Sequence, residues 1–301
     1  MKTSVLIGSV GSSQIFLEEL ISVGYPPALV FSLDESVAGN VSGYVPLHEI
    51  AQKHDVPYIK FKKINDKNNI EKIANLKPNF IFVIGISQLI SSKIINAAKD
   101  YCVGLHPAPL PKYRGRAAVV WQMLLGESES ALTIFKLGEG MDDGDIIEQV
   151  PYQILPADYA IDVHQRIRAA TQQAARSSIP KIFSGKALFR KQDESKASYL
   201  LIRRPEDGKI NWNNSVSEIF NLIRATSHPY PGAFTYYKGE KIIVWKAKVL
   251  ERSPYIGFNG QIAYLNENGL PGVVVGEKLL ELSEIEFAGQ SQSFRVGHRF
   301  D

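Results

Sequence analysis

Residues 104–123 read GLHPAPLPKYRGRAAVVWQM. His106 ends an apolar run, and a loop rich in prolines and cations follows it. Imidazole is the side chain that takes up and releases a proton near neutrality. Further along, 36 residues beyond His106, EGMDDGD places Asp142 and Asp143 in an acidic, glycine-flanked loop. A carboxylate beside a histidine fixes the ring's tautomer and raises its basicity. If the loop bends back toward His106, the two residues form a general acid–base pair. The rival use of Glu139, Asp142, Asp143 and Asp145 is a hard-metal site, although the spacing is not that of an EF-hand loop. Lys112, Arg114 and Arg116 put three cations in five residues, suited to an anionic group such as a phosphate. A solvated face is the plainer reading of the same cations.

Such a pair needs elements that bring the two loops together. The first half alternates short apolar runs with helical segments: SVLIG (4–8), ALVFSL (28–33), PYIKF (57–61), NFIFVIG (79–85) and CVGLH (102–106) read as strands. Strands apolar throughout, separated by helices, argue for a mostly parallel sheet covered on both faces, an α/β Rossmann-like domain. Ligands in such folds sit beyond the carboxyl ends of the strands. His106 lies at one such end and GISQL (85–89) at another, so the two are expected to be neighbours. Residues 130–138 and 145–154 read as further strands, and a long amphipathic helix over 159–183 closes the domain.

Residues 184–212 have the polar composition of a linker and entry loop. A helix over 215–227 and five short β-runs then predict a smaller β-rich, OB-like barrel domain. The expected boundaries are 1–190 for the first domain and 205–288 for the second, with 289–301 as a tail. Trp212, Tyr230 and Trp245 are read as barrel core, in preference to platforms for base stacking.

Composition narrows the function further. The 34 basic and 31 acidic residues leave a net charge of +3, too balanced to point to nucleic acid. No apolar run approaches the roughly 20 residues of a membrane helix. The N-terminal apolar stretch is too short for a signal peptide, so a cytoplasmic protein is expected. The one cysteine, Cys102, sits in an apolar setting and reads as a buried structural thiol. GSVGSS (8–13) lacks the spacing of a dinucleotide fingerprint and reads as a glycine-rich turn.

GLHPAPLPKYRG, with DDGD beginning 36 residues after its histidine, resembles the folate-dependent formyltransferase family. The family pattern is roughly N-x-H-x-S-x-L-P-x-x-R-G followed by D-x-G-D. WNNSVSEIFNLIRATSHPYPGAFTYYKGEKIIVWKAKVL (212–250) looks like the family's C-terminal segment, and the resemblance spans about residues 1–287. It implies transfer of a formyl group from the cosubstrate 10-formyltetrahydrofolate to an amine. His106 is then implied to stabilise the developing oxyanion and shuttle a proton, and Asp142 to orient His106 and help take the amine's proton. The family's folate position implies contacts from Gly85, Ile86, Ser87, Gln88 and Leu89, and from the Gly138 to Asp142 loop.

RGRAAVVW (114–121) looks like the version common in the branch that formylates nucleotide-linked amino sugars, where homodimers are common. In that branch Lys112, Arg114, Arg116, Arg203 and Arg204 would meet the diphosphate. The branch that formylates methionyl-tRNA carries a basic glycine-rich loop after its second strand. Here that loop reads LDESVAGNVSGYV, with two acids and no lysine or arginine, so no nucleic-acid partner is expected. The chain departs from the pattern at Gly104, where the family has an asparagine, and at Ala108, where it has a serine. Losing one oxyanion donor costs about 10²–10³ in rate. A backbone N–H, a water or Gln88 is expected to replace it. The alternatives are slow formylation or related one-carbon chemistry, or a degenerate homologue that binds folate or nucleotide sugar without turnover.

Overall fold

The computed structural model describes residues 2–39 and 41–301. In chain order its elements are β1 (Ser4–Gly8), α1 (Gly11–Ser22), β2 (Leu29–Leu33), α2 (Leu47–Lys53), β3 (Tyr58–Phe61), α3 (Lys67–Leu76), β4 (Phe80–Ile84), α4 (Ser92–Ile95) and β5 (Tyr101–His106). Then follow β6 (Arg114–Gly115), α5 (Ala118–Leu124), β7 (Glu129–Leu137), β8 (Ile146–Gln153), α6 (Ala160–Phe183) and β9 (Tyr199–Leu200). The last part holds α7 (Val216–Thr226), β10 (Ala233–Tyr237), β11 (Glu240–Leu250), β12 (Ile262–Leu265), β13 (Pro271–Val275) and β14 (Lys278–Phe287).

The chain divides into two units. The first holds Met1–Ala118, Glu129–Gln153 and His164–Leu201, and the second holds Val119–Ser128, Ile154–Val163 and Ile202–Asp301. In the first unit a seven-stranded sheet runs in the order β3-β2-β1-β4-β5-β7-β8. Its first five strands are parallel, and β7 and β8 are antiparallel to their neighbours. Every residue of β1, β2 and β4 is buried, as strands covered on both faces require. The strand order reverses at β1, which has β2 on one side and β4 on the other. Ligand crevices form beyond strand ends at such a point. Cys102 is buried, and burial pushes its thiol up to about 12, out of reach of thiolate chemistry near neutrality.

The second unit is a five-stranded antiparallel sheet in the order β10-β11-β14-β13-β12. Its core includes Ile219 and Ile223 of α7 together with Val244, Val273, Leu280 and Leu282 of the sheet. Helix α7 starts at a reciprocal cap: the Glu218 N–H donates to Ser215 Oγ at 3.2 Å, and the Ser215 N–H donates to Glu218 Oε2 at 2.9 Å. Trp212 and Trp245 are buried, and the Trp212 indole N–H donates to Thr235 Oγ1 at 2.9 Å. Among the described residues, no helix is long and apolar enough to cross a membrane.

Three boundary expectations change. Residues 289–301 are not a free tail, because Phe294 and Phe300 are buried in the second unit's core and Phe300 stacks on Trp212 at 5.4 Å. The stretch from 184 is not a free linker either: Arg190 pairs with Ile146, and β9 pairs with β6 inside the first unit. Residues 119–128 and 154–163, expected in the first domain, cluster with the second unit.

Arg224 explains how those two segments are held within the second unit. It is 4% exposed, and its guanidinium faces a ring of acceptors. Nε donates to Asn221 Oδ1 at 2.9 Å, and Nη1 donates to the Asp158 carbonyl at 3.2 Å. Longer contacts reach the carbonyls of Leu155 and Met123 at 3.4 and 3.5 Å. Burial pulls the guanidinium below its ordinary pKa. Replacing it with Met would strand these acceptors away from water, at about 1–3 kcal/mol for each one left unsatisfied. We expect Arg224→Met to lower the melting temperature by several degrees in a thermal unfolding experiment. An unchanged melting curve would contradict this role.

Candidate active site

The loop after β5 contains Pro107, Pro109 and Pro111, which have no N–H to donate. Its carbonyls must find donors elsewhere. Side chains of β7 and β8 supply three. Thr133 Oγ1 donates to the Ala108 carbonyl at 2.6 Å, Gln149 Nε2 to that of Leu110 at 3.2 Å, and the Tyr152 hydroxyl to that of Pro107 at 3.0 Å. Ser198 completes the attachment, its Oγ accepting from the Tyr113 N–H at 2.8 Å. A loop poor in backbone donors is thereby held at both ends by side chains from other elements.

His106 is buried at the end of β5, opposite Thr133 in the β5–β7 ladder. Its Nε2 lies 2.7 Å from the Tyr113 carbonyl oxygen. A carbonyl only accepts, so Nε2 carries the proton of this bond. In the neutral ring the other nitrogen, Nδ1, then has a lone pair. That nitrogen faces Asp142 Oδ2 at 3.8 Å, too far for a hydrogen bond. Asp142 Oδ2 is itself fixed by the Gly115 N–H at 2.8 Å. The expectation that Asp142 sets the His106 tautomer is thus corrected: the Tyr113 carbonyl sets it. Two proton acceptors then face one gap, an arrangement that suits an incoming group bearing N–H.

The backbone around this gap is unusual. Tyr113, Gly115, Ala117 and Asp142 all have positive φ, at 64°, 108°, 57° and 51°. Three of these four are not glycine, and left-handed non-glycine residues cluster at functional sites, where surrounding contacts hold them. Among the described residues, no group of three or more His, Cys, Asp or Glu side chains is placed to hold a metal ion.

The cations divide. Arg114 does not face an open phosphate site, because it is 1% exposed and all five of its N–H donors are taken. Nε and Nη2 donate to Gln192 Oε1 at 3.1 and 2.9 Å. Nη1 and Nη2 also donate to the two Glu194 oxygens at 2.9 and 2.6 Å, and Nη1 to the Tyr199 hydroxyl at 3.1 Å. Arg116 is exposed, and its Nη2 donates to the Ser87 carbonyl at 2.8 Å, bringing the His106 loop and the 85–89 loop together. Lys112 is exposed. Arg203 and Arg204 belong to the second unit, where the Arg203 guanidinium lies 5.2 Å from the Trp121 ring.

Gln88 does not stand free as an oxyanion donor, because its oxygen and one of its amide N–H groups are already bonded. Its Oε1 accepts from the Ile64 N–H at 2.9 Å and its Nε2 donates to the Lys62 carbonyl at 2.8 Å. Both ends of the amide thus fasten the loop after β4 to the loop after β3. Gly85 opens that loop at φ 59°, where a Cβ would collide with Val10 Cγ2. Ile86 packs against the first unit's core, and Leu89 is 89% exposed. Gly138 follows the end of β7 and leads into the Asp142 turn. At Gly104, a Cβ would meet the Phe135 ring at 2.8 Å. Gly104 pairs directly with Phe135 in the ladder, so the aromatic ring takes the room a side chain at 104 would need. Sequence reading missed Gln192, Ser198, Thr133, Gln149 and Tyr152, whose partners are mostly main-chain atoms. We expect Arg114→Lys, which cannot span Gln192 and Glu194 together, to cost about 1.5–3 kcal/mol. Thermal unfolding would register this as a melting temperature several degrees lower, and an unshifted transition would contradict the buried role.

The formyl transferase family pattern matches residues 26–179, and that of the formyl transferase C-terminal domain matches residues 203–293. A methionyl-tRNA formyltransferase from Alkaliphilus oremlandii (strain OhILAs) is 32% identical over 278 residues, covering 92% of this chain and 89% of that protein. Among solved structures, the N-formyltransferase from Helicobacter canadensis, in complex with folinic acid and dTDP-3-aminofucose, superimposes with a TM-score of 0.72. It is 20% identical, and the match covers 94% of this chain and 99% of that one. WlaRD, a sugar 3N-formyl transferase solved with dTDP and 5-N-formyl-THF, gives a TM-score of 0.68 at 18% identity, covering 97% and 99% of the two chains. With its His106–Asp142 pair at the end of a parallel sheet and both domains matched, the chain belongs to the formyl transferase family and is an enzyme of one-carbon transfer.

Proposed function

We propose that this enzyme moves the formyl group of 10-formyltetrahydrofolate to the amine of a nucleotide-linked amino sugar. The observation that carries the chemistry is the pair of acceptors, His106 Nδ1 and Asp142 Oδ2, facing one gap at 3.8 Å. Relatives of the same fold are described with folinic acid or 5-N-formyl-THF. The loop after β4 suits such a donor. Gly85 lets the main chain turn at φ 59° tight against Val10, and the exposed Leu89 offers an apolar surface to an aromatic ring. Gly85, Ile86, Ser87, Gln88, Leu89, Gly138 and Asp142 would hold the folate, largely through main-chain groups. The folate supplies the formyl carbon.

The protein's own residues do the proton work. Asp142 and His106 Nδ1 accept the proton that the attacking amine must lose. Once protonated, His106 Nδ1–H would be a charge-assisted donor for the developing oxyanion, and its proton would return to N10 of the folate as the bond from N10 to the formyl carbon breaks and tetrahydrofolate leaves. That role matters more here, because Phe135 occupies the space beside Gly104 where another donor would stand.

For the acceptor, the region after β2 is the guide. It carries Asp34 and Glu35 and no lysine or arginine through Val45, with Asn40 lying outside the described residues. Glu35 also pairs with Lys60 at 2.8 Å, so a carboxylate stands beside that exposed cation. A tRNA acceptor needs many exposed cations, because phosphate contacts dominate its affinity. A nucleotide diphosphate needs few, and the exposed Lys112 and Arg116 beside the His106 loop would serve. The 32% identity to a methionyl-tRNA formyltransferase favours a second reading, with methionyl-tRNA as acceptor.

The test is to mix the enzyme with 10-formyltetrahydrofolate and a panel of amino-sugar nucleotides, then follow tetrahydrofolate release. We expect turnover with at least one sugar. His106→Asn and Asp142→Asn should each lower kcat by about 10²–10⁴. Turnover with charged tRNA and no sugar would replace the acceptor assignment. Ligand-induced stabilisation without turnover would argue for a binding homologue.

A further inference from the structure

Residues 190–200 are bound along their length to the loops that carry His106 and Asp142. Arg190 exchanges backbone hydrogen bonds with Ile146 at 2.8 and 2.9 Å, and the Ser198 carbonyl accepts from the Arg114 N–H at 2.9 Å. Gln192 stands in the middle of this strap. Its Oε1 accepts two N–H groups of Arg114, at 3.1 and 2.9 Å. Arginine only donates, so these bonds assign the amide: oxygen toward Arg114, NH₂ away from it. The Nε2 group donates to the main-chain carbonyls of Asp142 and Gly144, both at 2.7 Å.

Asp142 has φ 51°, and such a backbone persists only where neighbours hold it. Two groups hold this residue: the Gly115 N–H grips its carboxylate, and Gln192 grips its carbonyl. Arg114, locked by Glu194 and Tyr199, fixes Gln192 in turn. The chain of contacts thus runs from a buried cation, through one amide, to the carboxylate opposite His106.

We propose that Gln192 is a positioning residue for catalysis, holding the Asp142 turn so that its carboxylate faces His106 Nδ1. It touches no reacting atom. The proposal rests on the reading of Asp142 as a participant in the reaction.

Two variants test it by different routes. Gln192→Met keeps the length of the side chain and loses both donors. Gln192→Glu keeps an acceptor for Arg114 and sets an oxygen against the two carbonyl oxygens. A displacement of about 1 Å at a catalytic group costs up to about 10²-fold in rate. We expect kcat to fall about 10–100-fold in both variants, with KM for the acceptor changing by less than about 3-fold. In an Asp142→Asn background, Gln192→Met should have little further effect, because the group it positions is already gone. The pH profile of kcat gives an independent readout. A loosened pair moves the apparent pKa of the limb, whereas loss of folded protein lowers only the plateau. If Gln192→Met does not fold, Gln192→Glu carries the test through the same profile.

Wild-type kcat and pH profile in both variants would overturn the proposal. So would a Gln192→Met penalty of equal size with and without Asp142. Wild-type activity in the Asp142→Asn single variant would instead remove the reading of Asp142 itself, and the proposal with it. These outcomes are distinguishable, because the single variant reports on Asp142 and the paired comparison reports on Gln192.

Discussion

The bond from His106 Nε2 to the Tyr113 carbonyl is the constraint on which the site depends. It fixes which ring nitrogen is left to react, and it does so with a main-chain atom. Its geometry requires Tyr113 to turn back at φ 64° within a loop of prolines. That conformation is held by partners on other elements: Ser198 at the Tyr113 N–H, and Thr133, Gln149 and Tyr152 along the preceding carbonyls. The sheet gives His106 its position and the strap gives it its orientation. The orientation of one side chain is in this way distributed over four segments of the first unit.

Burial determines what the charged residues do. Arg114 sits within ten residues of His106, yet its guanidinium is spent on Gln192, Glu194 and Tyr199. A buried arginine must satisfy all its donors or cost stability. This one does so by drawing the 190–200 strap against the Asp142 turn. Arg224 does comparable work in the second unit, collecting carbonyls from segments distant in sequence. In both cases a cation serves the architecture, and the cations left for a ligand are the exposed ones.

Much of the fold could be read from the sequence, because fully apolar strands alternating with helices admit few arrangements. The approach of Asp142 to His106 was legible from the loop alone: β7 runs antiparallel to β5 and ends beside Cys102, so the glycine-flanked segment 138–145 has to bend back to reach His106. Arg114 and Gln88 were misread because spacing shows that a polar group is near a site but not where it points. Their partners are Glu194, Gln192 and the backbone of residues 62–64, none of which sequence proximity indicates. The strap was hidden by its own composition, since polar residues that bind carbonyls look the same as polar residues that bind water. Phe294 and Phe300 were the missed signal in the supposed tail, because two aromatic side chains carry enough apolar surface to dock it. Gly104 also gains a physical meaning: with Phe135 directly across the ladder, glycine is what the packing allows.

The most direct test is the ¹⁵N spectrum of the enzyme labelled at histidine, with the His106 signals assigned by comparison with His106→Asn. At a pH where the ring is neutral, the expected result is a proton on Nε2 and a free lone pair on Nδ1. A neutral ring that carries its proton on Nδ1 would contradict the assigned orientation. Asp142 would then face a donor instead of a base, and the proton route proposed for formyl transfer would fail.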